Sequence, residues 1–258
     1  MNLFKIKYLI KKSIKKVFLF FNLKIEKINK QNENFPVEAN DEIKKFINLS
    51  KKFSMTGRER MYLLSQAILN VKNNNLDGDF VECGVWRGGN ILLFKFLNDF
   101  YNLNKNIFAY DTFEGMTTPQ EMDITSSGVS AEILMKNIKK KDEKHNIHCF
   151  SEIDQVKKNI LKYSNLNDIH FIKGPVEKTL FFEKNLPNKI SILRLDTDFY
   201  SSTKIELERL FPRVVSGGVL IIDDYGFWKG SRKAVDEYFN DKKWLHIVDS
   251  TCRYLIKD

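Results

Sequence analysis

The sequence contains few cysteines and prolines and has no long apolar run. Its three cysteines, Cys83, Cys149 and Cys252, are scattered and odd in number, so they indicate neither a disulfide framework nor a CxxC metal site. Five prolines and a hydrophobic content of 43% are typical of a folded globular chain. The apolar run VFLFF at 17–21 is too short to span a bilayer, and no small-residue cleavage site follows a compact apolar core. We therefore expect a cytoplasmic protein in a reducing environment.

Acidic residues are scarce in the N-terminal 30 residues and nearly equal in number to basic residues in the rest of the chain. Residues 1–30 contain nine lysines, no arginine and one acid, whereas the remaining residues contain 33 basic and 32 acidic groups. A nearly neutral body argues against nucleic-acid binding over a broad basic face. The basic segment has an apolar stripe at spacings of three and four residues, which predicts an amphipathic helix.

This stripe leaves three possibilities open for the basic segment, one of which is a frayed tail without a fixed partner. In the others, the segment packs on the body or on a second subunit, or it lies on the anionic inner face of a membrane. We expect a homo-oligomer and keep contact of residues 1–30 with a membrane surface as the alternative. The predicted domains are a basic helical arm and linker over residues 1–40 and a catalytic domain over residues 41–258.

Strand-like and helix-like segments alternate along most of the chain. This alternation predicts a parallel sheet with helices on both faces. Only Ser250 and Thr251 separate the last two strand-like runs, which predicts an antiparallel hairpin. The result is an α/β, Rossmann-like sheet of seven mainly parallel strands, the pattern of Rossmann-like methyltransferases. The predicted strands are 79–84, 106–111, 169–174, 190–196, 217–223, 244–249 and 252–257; the predicted helices are 41–52, 58–73, 89–101, 130–141, 152–163, 176–184, 201–211 and 230–240.

A glycine-rich turn, ECGVWRGGN at 82–90, follows the first predicted strand. Its glycines expose backbone amides at a helix N-terminus, but their spacing differs from the G-x-G-x-x-G of dinucleotide sites. Glu82 would also repel a diphosphate. Asp111 ends the second strand, where it can accept hydrogen bonds from both ribose hydroxyls, and Phe113 is placed to face an adenine ring. S-adenosylmethionine, a sulfonium nucleoside without phosphates, fits these features; its predicted contacts here are Glu82, Cys83, Gly84, Asp111, Thr112 and Phe113.

Several segments in a fixed order resemble one family. They are SMTGRERMYLL, DFVECGVWRGG, AYDTFEGM, LRLDTDFYSST and GGVLIIDDYGFW, the last followed by KG and RKAVDEYF. Over roughly residues 50–258 the sequence resembles the macrocin O-methyltransferase (TylF-type) family, which methylates sugar hydroxyls in macrolide antibiotics. This resemblance implies the class I methyltransferase sheet, with S-adenosylmethionine and magnesium as cofactors.

Carboxylates end two neighbouring predicted strands. Asp196 follows the fourth strand, and Asp223 and Asp224 follow the fifth, so their side chains should converge at the ligand-binding edge. Oxygen ligands of this kind suit Mg²⁺ or Ca²⁺, and the resemblance assigns magnesium to Asp196, Asp223 and Asp224. It also suggests Asp196 as the catalytic base and as a cofactor contact. Asp198 is a fourth acid, whose orientation to solvent or to a substrate stays open.

A few further residues are candidates near this site. His145 or His148 could assist as a base, and Arg58 and Arg60 could close over the pocket. Ser151 is expected to cap the following helix and to reach the adenine.

Together these features predict a Mg²⁺- and S-adenosylmethionine-dependent transfer of a methyl group to a hydroxyl of a sugar or glycoconjugate. The alternatives are a catechol-type O-methyltransferase acting on a phenol and a non-catalytic binding module with the same fold.

Overall fold

The computed structural model describes residues 35–136, 146–240 and 243–258. Residues 36–258 form one compact unit. The predicted amphipathic arm at 1–30 and His145 lie outside the described residues, so the membrane and partner contacts expected of the arm stay predictions. Within the described ranges, no helix has both the length and the apolar character that crossing a bilayer requires.

Seven strands form a single sheet in the order β3-β2-β1-β4-β5-β7-β6. Strands β1 to β5 pair in parallel, and β7 runs antiparallel to both β5 and β6. The predicted mainly parallel sheet with a C-terminal antiparallel hairpin is confirmed. The strands are β1 (Asp79–Cys83), β2 (Ile107–Asp111), β3 (Ile169–Lys173), β4 (Ile190–Leu195), β5 (Val214–Ile222), β6 (His246–Ile247) and β7 (Arg253–Ile256).

Eight α-helices are described, each overlapping a predicted helix, although the helix predicted over 176–184 ends already at Thr179. The first begins after Asn40, whose side chain accepts a hydrogen bond from the Ile43 amide, with two acids in its first turn. The helices are α1 (Asp41–Ser50), α2 (Arg58–Asn73), α3 (Gly89–Phe100), α4 (Ala131–Lys136), α5 (Ile153–Leu161), α6 (Val176–Thr179), α7 (Tyr200–Arg209) and α8 (Lys229–Phe239).

Side chains of the central strands alternate between the two faces of the sheet. On one face, Phe80 of β1 stacks on Phe94 of α3 with ring centroids 5.1 Å apart. On the other face, Cys83 belongs to an apolar cluster that includes Leu207 of α7. Glu82 lies on the Phe80 side of β1 and is fully buried. This alternation decides which of the predicted site residues can reach the cavity.

Candidate active site

A cavity of about 650 Å³ lies at the carboxyl ends of the central strands. Residues at or just after the ends of β1, β2, β4 and β5 line it, including Gly84, Asp111, Asp196 and Asp224. This is the edge at which open α/β sheets bind ligands, and the volume suits a nucleoside together with a small acceptor.

Gly84 allows the ends of β1 and β4 to approach closely. Its φ is +88°, and a Cβ atom at this position would lie 2.6 Å from the carbonyl carbon of Asp196 and closer still to the carbonyl oxygen. The Gly84 amide donates to the carbonyl of Tyr110 at 2.9 Å, and the Asp196 amide donates to the carbonyl of Cys83 at 2.8 Å. Any larger residue at position 84 would push Asp196 away from the glycine turn.

Hydrogen bonds to the Asp111 side chain hold the glycine-rich turn against the end of β2. Its Oδ2 accepts hydrogen bonds from the amides of Val85 and Trp86 at 2.7 and 3.0 Å, and its Oδ1 accepts one from the Phe113 amide at 2.7 Å. Burial raises the pKa of Asp111, and these backbone donors oppose the shift. Oδ1 also accepts a hydrogen bond from the Thr112 hydroxyl at 3.4 Å, the longest of the four and therefore the one that a ribose hydroxyl could most easily replace.

A buried arginine connects carboxylates from three strands. Arg194 of β4 is 1% exposed and lies beside Glu82 in the parallel register of β1 and β4. Its Nη1 donates to Glu82 at 2.6 Å and to Asp196 Oδ2 at 2.7 Å, while its Nη2 donates to Asp223 Oδ1 at 2.6 Å. The same Nη2 donates to the Thr56 hydroxyl at 3.1 Å, which ties the segment before α2 to the network.

Asp223 is held by a second guanidinium group. Arg60 of α2 donates from Nη1 to Asp223 Oδ2, and its Nε forms an ion pair with Asp249 at 2.6 Å. Both oxygens of Asp223 are therefore engaged by arginines, and Arg60 lines the cavity. Each Asp223 oxygen accepts one hydrogen bond from an arginine and keeps a second acceptor site, so the predicted metal set of Asp196, Asp223 and Asp224 stays a prediction.

Three carboxylates, one of them outside the predicted set, converge in the cavity. Asp196, Asp198 and Asp224 each present an oxygen, and these oxygens all lie within 4.8 Å of one another. Asp198 has a φ of +70°, a strained conformation for a residue with a side chain, and such strain concentrates at functional sites. Asp224 Oδ2 is buried and has no hydrogen-bond partner among the described residues. We call Asp196, Asp198 and Asp224 the acid cluster.

The electrostatics of the acid cluster fit a hard divalent cation. Burial and the neighbouring carboxylates raise the pKa of Asp198 to about 7 and the pKa of Asp224 well above its usual range. Burial raises the pKa of Asp196 as well, although Arg194 opposes that shift. Within the described part of the chain, neither Asp198 nor Asp224 forms an ion pair with a lysine or arginine. A divalent cation bound by these carboxylate oxygens would relieve the repulsion among the three side chains and give Asp224 Oδ2 a partner.

Four predicted cofactor contacts do not line the cavity. Glu82 faces Arg194, and burial raises its pKa to about 7 despite that partner. Cys83 points into the opposite apolar cluster. Phe113, at a φ of +52°, turns inward and lies against Phe171 with ring centroids 6.2 Å apart. Ser151 is buried, and its hydroxyl caps no helix because α5 begins at Ile153.

The other predicted contacts, Gly84, Asp111, Thr112 and Asp196, do line the cavity. Of the two arginines that were candidates for closing over it, Arg60 lines the cavity and Arg58 does not. His148 is absent from the cavity wall, and its Nε2 lies 3.2 Å from the carbonyl of Met135.

Sequence reasoning missed most of the apolar wall. Trp228 is buried and meets Phe199 edge to face, with ring centroids 5.5 Å apart, while Phe227 is 39% exposed. The sequence does place the aromatic pair Phe227 and Trp228 shortly after the acids at 223 and 224, which indicates either a stacking surface for a sugar or ordinary packing. Further wall residues are Met116, Leu134, Ile147, Cys149 and Glu177.

Glu177 adds an unpaired polar atom to the cavity wall. Its Oε1 accepts a hydrogen bond from the Ser201 hydroxyl at 3.1 Å, whereas its Oε2 is buried and has no partner among the described residues.

Comparison with known proteins agrees with this geometry. The structure of the O-methyltransferase NovP matches with a TM-score of 0.67 at 28% identity, over 80% of this chain and 82% of that chain. An S-adenosylhomocysteine-bound methyltransferase of Podospora anserina shares the fold, with a TM-score of 0.52 at 14% identity, over 91% of this chain and 99% of that chain. The sheet and its cavity thus define an S-adenosylmethionine-dependent O-methyltransferase.

The family assignment follows from the sequence comparisons. The chain belongs to the macrocin-O-methyltransferase (TylF) family, whose model matches residues 6–257. It is 30% identical to demethyldecarbamoylnovobiocin O-methyltransferase of Streptomyces niveus over 191 residues, 72% of this chain and 67% of the relative. It is 32% identical, with the same coverage, to 8-demethyl-8-(2,3-dimethoxy-alpha-L-rhamnosyl)-tetracenomycin-C 4'-O-methyltransferase of Streptomyces olivaceus. The resemblance described from the sequence motifs is confirmed.

Proposed function

We propose that this enzyme transfers the methyl group of S-adenosylmethionine to a hydroxyl of a sugar or glycoconjugate, with Mg²⁺ held by the acid cluster. The convergence of three carboxylates beside the cofactor cavity carries the metal part of this proposal. The relatives support the acceptor class, since the Streptomyces olivaceus enzyme is named for a substrate that bears a rhamnosyl group. A Micromonospora griseorubida relative, 25% identical over 83% of this chain and 76% of its own length, is named as a mycinamicin III 3''-O-methyltransferase.

The donor half of the cavity is formed by the turns after β1 and β2. Gly84 and the backbone that Asp111 holds in place present a surface for the ribose and the amino-acid part of the cofactor. The acid cluster favours the positively charged sulfonium over the neutral thioether that remains after transfer. In the reaction a bond forms between the acceptor oxygen and the methyl carbon while the bond from that carbon to sulfur breaks.

The hydroxyl proton needs an acceptor close to the reacting oxygen. Asp196 is the first candidate for this base, because Arg194 holds its Oδ2 while the residue lines the cavity. Asp198 is a second candidate, since it lines the cavity beside Asp196. A bound divalent cation would stabilise negative charge on the acceptor oxygen.

The acceptor half has an apolar wall. Phe227 and Trp228 stand next to the acid cluster in the sequence and line the cavity with Met116 and Leu134. Such a wall suits the C–H face of a sugar ring, whose hydroxyls would then point towards the carboxylates. Aromatic contact on one side and carboxylate contact on the other would orient one hydroxyl towards the methyl group.

The test uses labelled S-adenosylmethionine and a glycan extract of the source cells. We expect label in a sugar-bearing species, loss of labelling with EDTA, and recovery when Mg²⁺ is restored. Asp196→Ala should abolish transfer while leaving binding of S-adenosylhomocysteine within a few-fold. Asp77→Asn, which changes an exposed acid away from the cavity, is the matched control. Labelling that EDTA does not affect would contradict the metal part, and labelling confined to phenols would contradict the sugar part.

A further inference from the structure

We infer that Glu206 is a positioning residue that holds Asp196 and Asp198 in the acid cluster through the side chain of Thr197. The inference rests on the proposed function, because it concerns how the acids of that site are oriented. Glu206 belongs to α7, is fully buried and does not line the cavity. Thr197 lies between the two acids in the chain and does line the cavity.

The contact between Glu206 and Thr197 is a buried hydrogen bond. The Thr197 hydroxyl lies 2.9 Å from Oε1 and 3.1 Å from Oε2 of the Glu206 carboxyl, to which it donates. Because both side chains are buried, no bulk water competes for the hydroxyl, and a hydrogen bond in such surroundings is stronger than one at the surface. The contact therefore fixes the side chain of Thr197 against α7.

The backbone that follows Thr197 is strained and needs such a fixed point. The Thr197 carbonyl accepts hydrogen bonds from the Phe199 amide at 2.8 Å and from the Ser202 hydroxyl at 3.3 Å. Between these contacts Asp198 has a φ of +70°, which residues other than glycine rarely adopt. A strained conformation of this kind persists only where the surrounding contacts hold it.

Repulsion among the acids acts against the same turn. The oxygens of Asp196, Asp198 and Asp224 lie within 4.8 Å of one another, and like charges at this separation repel. Without the hydrogen bond to Glu206, the turn could relax to an ordinary backbone conformation and carry the Asp198 carboxylate away from the other two. Glu206 thus acts on the reaction through Thr197 and contacts neither substrate.

The burial of Glu206 argues against a purely structural role. A buried carboxyl group costs free energy that an apolar side chain at the same position would not. Burial raises the pKa of Glu206 well above its usual range, which reflects this cost. Leu207, the next residue on α7, packs in the apolar cluster on this face of the sheet. Packing alone would therefore favour an apolar residue at position 206 as well.

The decisive variant replaces both partners, Glu206→Leu together with Thr197→Val. Replacing both members of a buried hydrogen bond by apolar groups of similar shape is nearly neutral for stability, so Tm should stay close to that of the wild type. Transfer should nevertheless fall by about 100-fold, the scale of a misplacement of about 1 Å. The Mg²⁺ Kd, measured calorimetrically with S-adenosylhomocysteine present, should rise several-fold, whereas the S-adenosylhomocysteine Kd should stay within a few-fold.

Two single variants and one control complete the experiment. Glu206→Leu alone should lose about as much transfer as the double variant, because both break the same contact. Glu206→Gln keeps an acceptor oxygen for the Thr197 hydroxyl and should restore most of the transfer that Glu206→Leu loses. Leu207→Ala is the matched control on the same helix, since it should lower Tm without changing the Mg²⁺ Kd or the transfer rate.

Three results would overturn the inference. They are wild-type transfer in the double variant, equal losses of transfer in Glu206→Gln and Glu206→Leu, and a large fall in the Tm of the double variant together with its loss of transfer. A wild-type enzyme that transfers no methyl group would instead refute the proposed function, and the Mg²⁺ Kd of the variants would then decide the inference. A wild-type enzyme that binds no Mg²⁺ would refute only the metal part, and the transfer rates would decide.

Discussion

Replacing Gly84 by alanine should lower stability and activity, because the Gly84 backbone lies very close to the Asp196 backbone. The residue has a φ of +88°, which costs a residue with a side chain about 1–2 kcal/mol. The new Cβ would also lie 2.6 Å from the Asp196 carbonyl carbon. Carbon atoms prefer a separation of about 3.5 Å or more, so the ends of β1 and β4 must part by about 1 Å. Relieving such a clash costs a further ~1–3 kcal/mol.

The two contributions can be separated with a second glycine. Gly128 has a φ of +91°, but a Cβ added there would meet nothing within 4 Å. Gly128→Ala therefore reports the backbone strain alone, and the difference between the two variants reports the clash. Urea unfolding measures the free energy of unfolding, and labelled methyl transfer measures activity.

We expect Gly84→Ala to be less stable than the wild type by about 2–5 kcal/mol, and Gly128→Ala by about 1–2 kcal/mol. Because Asp196 moves with the end of β4, transfer by Gly84→Ala should fall by about 100-fold. Transfer by Gly128→Ala should stay near that of the wild type. Equal losses of stability and activity in both variants would refute the role given to the contact between Gly84 and Asp196.

Three further predictions address the acid cluster, the cofactor and the acceptor. Asp198 has a pKa of about 7 in the folded protein against 3.8 ordinarily, so the unfolded chain binds fewer protons between these values. The metal-free protein should therefore lose stability as pH rises from about 4 to 7, and Mg²⁺ should raise Tm more at about pH 8 than at about pH 6; the reverse order would contradict this. Asp111→Asn removes an acceptor from at least one backbone amide and should weaken S-adenosylhomocysteine binding about 10-fold by calorimetry, whereas equal affinity would count against it. Phe227→Ala should raise the acceptor KM without changing the S-adenosylhomocysteine Kd, and an unchanged KM would exclude contact with the acceptor.

Most of the sheet was predictable because buried parallel strands form short apolar runs between helical segments. Strands β1 to β4 lie within one residue of their predicted bounds at each end. Strand β5 begins at Val214, three residues before the predicted start. Its register with β4 is irregular there, and Gly217 has a φ of +78°, so this part of the strand looks like a turn in the sequence.

The site was predictable only where it depends on strand ends. Asp196 and Asp224 follow neighbouring strands, and the parallel topology brings them together. The hydrogen bonds between Asp223 and two arginines could not be predicted from the sequence. Arg60 lies 163 residues earlier in the chain, and Arg194 lies inside an apolar strand. No local pattern pairs these residues.

The backbone conformations of Asp198 and Phe113 could not be predicted from the sequence either. Asp198 reaches the acid cluster through a φ of +70°, and Phe113 turns inward through a φ of +52°. Positive φ values are uncommon for residues other than glycine, so the sequence favours the ordinary conformation at both positions. The orientation of each side chain therefore depends on tertiary contacts.

We propose that Asp196, Asp198 and Asp224 hold a divalent cation beside the cofactor. Calorimetric titration of Mg²⁺ into the enzyme saturated with S-adenosylhomocysteine tests it most directly, with Asp198→Asn and Asp223→Asn as the compared variants. We predict a single ion per chain in the wild type, an affinity reduced about tenfold or more in Asp198→Asn, and a smaller loss in Asp223→Asn. No binding in the wild type, or binding that survives in Asp198→Asn but is lost in Asp223→Asn, would contradict the claim.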